Sequence, residues 1–103
     1  MATIYTKSNH QVALASPLAL KCFSEENIEI VFLILKTDES IPIHKNPFNV
    51  LFYVKSGKGI INVENQEYNL CENELVFVLS NENRSWKNID KANLELIVVK
   101  MLK

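Results

Sequence analysis

Glycine is almost absent from this chain. Two occur in 103 residues, Gly57 and Gly59, and both fall in the run Lys55-Ser56-Gly57-Lys58-Gly59. A phosphate-cradling loop needs several glycines so that backbone N–H groups can close on the anion, so that class is excluded. Cysteine is as scarce. Cys22 and Cys71 stand far apart without CxxC spacing, which points to two reduced thiols and a cytoplasmic protein rather than a disulfide framework. The two histidines are His10, isolated in a polar segment and assigned no role, and His44, which has no partners for a Ser-His-Asp set. Neither charge sign dominates, since 11 basic and 12 acidic residues are interspersed and leave a net charge of −1. That leaves no electrostatic footprint for nucleic acid or an anionic membrane. The longest apolar run, Ile30 to Leu35, is too short to span a bilayer. The polar start, Met1 to Gln11, lacks the apolar core of a signal peptide.

What the chain does have is many short apolar runs. Its length suits one domain. Residues 28–36 are the strongest strand signal, rich in Ile, Val, Leu and Phe. Further strands are expected at 18–23, 50–54, 60–63, 67–70, 75–79, 85–87 and 94–101. Asn and Asp punctuate the connections (Asn65, Asn73, Asn81, Asn83, Asp90, Asn93), as turn chemistry prefers. The glycine run is expected to turn a hairpin joining 50–54 to 60–63, with positive φ at one glycine or both. Such a spacing of strands reads as a sandwich or barrel. It divides into an N-terminal segment, 1–27, with possible edge strands, and a β-barrel, 28–103.

Two stretches carry a resemblance. The first runs from Asp38 through His44 and Asn46 to Gly57. The second runs from Asn73 through Leu79, Asn81 and Arg84 to Asn88. Their spacing resembles the two sequence motifs of the cupin superfamily. The resemblance covers roughly Ile28 to Met101 and implies an all-β fold, a cupin-type (RmlC-like) jelly roll of two antiparallel sheets. In metal-binding members three histidines and a carboxylate converge inside the barrel. Here His44 holds the first position, Asn46 the second, Val50 (or Asn49 after a one-residue shift) the acidic one and Arg84 the last. An amide is a poor ligand for first-row metals, and a permanently charged guanidinium repels a cation. No metal or other cofactor is therefore expected.

Arg84 instead suits an anion, since a guanidinium pairs with carboxylate or phosphate oxygens through two parallel hydrogen bonds. Trp86, two residues on, shares its strand face. Tyr53 brings a hydroxyl that needs a partner if buried. The expected ligand-binding set is His44, Asn46, Asn49, Tyr53, Arg84 and Trp86, around a small polar or anionic molecule. Catalysis is not expected. The alternatives are a cupin enzyme with an atypical ligand set, an isomerase or a metal-dependent oxygenase, and the ligand-sensing domain of an AraC-like regulator. Residues 28–35 are apolar on both faces, and only one face can look into a barrel. A homodimer is expected to cover the other, and the face carrying Val31 and Leu33 is taken as the interface to test.

Overall fold

A computed structural model describes residues 1–6 and 11–103; His10 lies outside the described residues. Its regular structure is all β. Six strands form one antiparallel sheet in the order β1 (Gln11–Ala15), β2 (Leu18–Ser24), β3 (Ile28–Leu35), β10 (Leu94–Met101), β5 (Asn49–Ser56), β8 (Leu75–Val78). The other four make a second sheet, β4 (Ser40–His44), β9 (Arg84–Asn88), β6 (Lys58–Val63), β7 (Gln66–Cys71). The two stack as a jelly roll. β1 forms the edge of the large sheet, and β2 pairs antiparallel with both β1 and β3.

Side chains alternate along each strand, so each sheet presents one row of residues to the core. From the large sheet Val31, Leu33 and Leu35, Leu94, Leu96 and Val98, and Val50, Phe52 and Val54 are buried. The small sheet answers with Ile61 and Trp86, and Trp86 meets Phe52 edge-to-face at 5.5 Å between ring centroids. Each such side chain removed from water stabilises the fold by about 1.5–3 kcal/mol.

Val31 and Leu33 thus belong to the interior, which corrects their assignment to an outer interface. The outer face of β3 is Ile28, Ile30, Phe32 and Ile34. Strand register carries it across the sheet in two apolar rows, Leu20–Phe32–Ile97–Tyr53–Leu75 and Ile30–Val99–Leu51–Phe77.

The glycine run does not close a hairpin. β5 bonds to β10 and β8, whereas β6 bonds to β7 and β9, so the run is a corner where the chain leaves one sheet for the other. Gly57 sits at φ +90°, and a Cβ there would lie 2.5 Å from the Asn93 carbonyl oxygen. Gly59 is needed for space: its Cβ would meet Leu94 Cδ2 at 2.5 Å and Trp86 at 3.1 Å. The tight hairpin comes one strand later, between β6 and β7, where Glu64 and Asn65 both take positive φ (47° and 68°). That pair of left-handed residues matches the twist of the flanking strands.

Candidate functional site

A cavity of about 370 Å³ opens between the sheets at the end where β4 finishes and β9 begins. Its walls are mostly apolar: Val31, Leu33, Val50, Phe52 and Val98 from the large sheet, Ile41 and Trp86 from the small one. Four polar side chains interrupt them, His44, Asn46, Arg84 and Lys100.

Register explains the grouping. His44 pairs with Arg84 and Ile41 with Trp86 across β4 and β9, which sets the first pair beside the second on the inner face. Arg84 and Trp86 alternate inward with Ser85 and Lys87 outward. Four of the six expected ligand-binding residues are brought to this one cavity.

Arg84 has no exposed surface. Its Nη1 donates to the Glu82 carbonyl at 3.2 Å. Asn46, with its amide oxygen turned toward Arg84, accepts from Nη2 at 2.5 Å. Both acceptors are neutral. Burial draws the Arg84 guanidinium below its ordinary pKa, and the Glu82 carboxylate works against that shift. An arginine starts so high that it stays charged. Its Nε–H has no acceptor among the described residues, and neither does the buried Nε1–H of Trp86. His44 is exposed at the rim, with Nδ1 3.0 Å from the Pro42 carbonyl. A carbonyl only accepts, so Nδ1 donates and Nε2 is left for other contacts.

Asn49 and Tyr53 do not line the cavity, and the expectation for both is corrected. β5 turns Val50 and Phe52 inward, so 49, 51 and 53 point out. Asn49 Oδ1 accepts from the Ser80 backbone N–H at 2.8 Å. The Tyr53 hydroxyl donates to Asn73 Oδ1 at 2.5 Å.

Lys100 was not anticipated. The signal was present: residues 94, 96 and 98 face inward on β10, and 100 continues that phase. Its ammonium lies 3.2 Å from Glu29 Oε2, while Lys21 lies 3.4 Å from Glu29 Oε1. Burial pushes the Glu29 carboxyl up, but the hydrogen bond and charge of Lys100, then the charge and hydrogen bond of Lys21, outweigh it and hold the group below its ordinary value.

The four positions of the metal-binding pattern now stand together as one imidazole, one amide, the methyls of Val50 and one guanidinium. That donor set does not fit a first-row metal, because it offers one neutral nitrogen ligand and one fixed cation. Among the described residues, no three His, Cys, Asp or Glu side chains are placed to hold a metal ion.

Comparison with known proteins bears on the family and the fold. The cupin domain family matches residues 31–100. A predicted oxalate decarboxylase from Thermotoga maritima superposes with a TM-score of 0.87 at 16% identity, over 98% of this chain and 100% of that one. An RmlC-like cupin family protein with a double-stranded β-helix fold, from Methanocaldococcus jannaschii, gives 0.82 at 24% identity, over 98% and 91%. The Cnp3 cupin domain of Schizosaccharomyces pombe gives 0.79 at 18% identity, over 84% of this chain and 64% of that one. At such identities the likeness establishes the fold. No curated protein matches the sequence.

Proposed function

The chain belongs to the cupin superfamily, and on that premise we propose that its barrel binds a small organic anion with an apolar body, without a metal and without turnover. The observation that carries this reading is the pair of buried N–H donors, Arg84 Nε and Trp86 Nε1, neither with an acceptor among the described residues. A buried donor left unpaired costs about 1–3 kcal/mol. A carboxylate that reached both, as the side chains now closing over Arg84 gave way to admit it, would accept from them and neutralise the guanidinium, and the apolar walls would take the rest of the molecule. Among the described residues, the titratable groups on the cavity are His44, Arg84 and Lys100. Among the described residues no carboxylate or thiol lines the cavity, and Glu29, the carboxylate beside Lys100, is held between Lys100 and Lys21, so these groups support binding better than acid–base or nucleophilic chemistry. Cys22 and Cys71 are unpaired, in keeping with a reducing compartment, and the reading places the protein in the cytoplasm.

Hexanoate and its neutral counterpart hexanol are the probes. A ligand that binds only the folded state at ten times its Kd adds about 1.4 kcal/mol. Hexanoate should therefore raise the melting temperature of the wild type by about 6 °C, and that of Arg84→Met by about 2 °C or less at the same concentration. An equal shift with hexanol, or an undiminished one in Arg84→Met, would sink the reading.

The reading includes a second copy of the chain seated on the outer face of the six-stranded sheet. Leu75, Phe77 and Leu79 at its β8 edge are each half exposed or more. The two outer rows carry no charged residue, so they offer nothing for a charged partner to pair with. A self-complementary apolar patch is closed by a twofold axis. Tyr5 packs edge-on against Phe23 and covers the opposite margin.

A further inference from the structure

We propose that the ligand is a dianion, its second acidic group held by Lys100. This rests on the anion-binding reading above and names the class of molecule.

The cavity has two cationic poles, one on each sheet. Arg84 projects from β9 of the small sheet and Lys100 from β10 of the large one. The direct partners of Arg84 are a carbonyl and an amide oxygen, so Glu82, the carboxylate that acts on its charge among the described residues, does so without a hydrogen bond to it. Lys100 does have a carboxylate partner, but Glu29 is shared. One Glu29 oxygen faces Lys100 and the other faces Lys21. A single carboxylate cannot neutralise two ammonium groups, so the trio carries a net positive charge beside the cavity. An ammonium also has three donors, and Glu29 accepts from one. Among the described residues nothing else pairs with this ammonium, so the others can serve a ligand in the cavity that Lys100 lines.

Two separated positive charges across an apolar gap match a molecule with an acidic group at each end. A polyol would leave both charges uncompensated, and the apolar walls would not pair with its middle hydroxyls. A monoanion would satisfy Arg84 and leave Lys100 half used. Glu29 acts here as a positioning residue, because it fixes the Lys100 ammonium at the cavity without filling its donors.

The experiment compares adipate, hexanoate and hexane-1,6-diol by calorimetric titration into the wild type and Lys100→Met. Glu29 keeps Lys21 when Lys100 is replaced, so the variant retains a paired carboxylate; Lys100→Gln serves as a second variant, and melting curves verify folding. The wild type should bind adipate about 10-fold tighter than hexanoate, the gain of one charge-assisted contact, and the diol not measurably. Lys100→Met should bind both acids equally, at the wild-type affinity for hexanoate. If hexanoate binds the wild type but adipate binds no tighter, or if the preference survives both Lys100 variants, the dianion assignment is wrong and the anion site stands. If neither acid binds the folded wild type, the anion site itself falls, and this inference with it.

Discussion

Asn88 offers the sharpest test of how the barrel end is held together. It is fully buried in β9. Its Nδ2 donates to the Leu35 and Ala92 carbonyls, both at 2.9 Å, and its Oδ1 accepts from the Asp90 N–H at 2.8 Å. The side chain thus ties the end of β3 to the connection that leads into β10. Asn88→Leu keeps a similar volume and deletes all three bonds. At about 1 kcal/mol each the loss is about 3 kcal/mol, a large part of the ~5–15 kcal/mol that a domain has. With an unfolding entropy of ~2.1 cal/mol/K per residue, the melting temperature should fall by about 14 °C. Asn88→Asp adds a direction. An ionised carboxylate facing two carbonyls is disfavoured in the fold, so its folded pKa is raised. The variant should be closest to wild type below the unfolded-state value of ~3.9 and lose stability as pH rises from there through the raised folded value. Melts by circular dichroism from pH 3 to 8 measure both. A drop under about 5 °C for Asn88→Leu, or a flat pH profile for Asn88→Asp, would refute the reasoning.

Three further outcomes follow from the same geometry. Gly57→Ala should destabilise more than Gly59→Ala, because the first forces a Cβ at φ +90° against backbone while the second presses on Leu94 and Trp86 side chains; equal or absent losses in melting temperature would contradict the corner. Glu29→Gln should destabilise at neutral pH, since the lowered carboxyl pKa contributes stability that is complete above the unfolded value of ~4.3 and lost as pH falls through the folded one; a difference from wild type that persists unchanged at pH 3 would show that the Lys21–Glu29–Lys100 charges are not its source. Light scattering should give about twice the 11.8 kDa chain mass, falling to one chain with Phe77→Asp or Phe32→Asp; a wild-type mass of one chain rejects the twofold pairing.

The fold was legible because the strands are short, apolar and punctuated by Asn. Asn65, Asn73 and Asn81 do sit in left-handed turns, with φ of 65–70°. The glycine run misled because a corner between sheets and a hairpin within one both require positive φ; local chemistry does not say which strand the chain will pair with next. β3 misled in the same way. Both its faces are apolar, so period-2 alternation cannot tell interior from exterior, and only pairing with β10 decides it. In β5 the sequence Val50-Leu51-Phe52-Tyr53-Val54 is apolar throughout, which hid that Tyr53 faces outward to Asn73. The cavity group of His44, Asn46 and Arg84 came through motif spacing, which is a register, and register survives when the chemistry changes. Lys100 had no motif to mark it.

Trp86 is the single tryptophan of the chain and lines the cavity, so its fluorescence reports the central claim directly. Titration with hexanoate should give a saturable change in the wild type, none with hexanol, and a curve weakened about 10- to 100-fold in Arg84→Met, the range of one charge-assisted hydrogen bond. Indistinguishable curves for acid and alcohol, or for wild type and Arg84→Met, would contradict it.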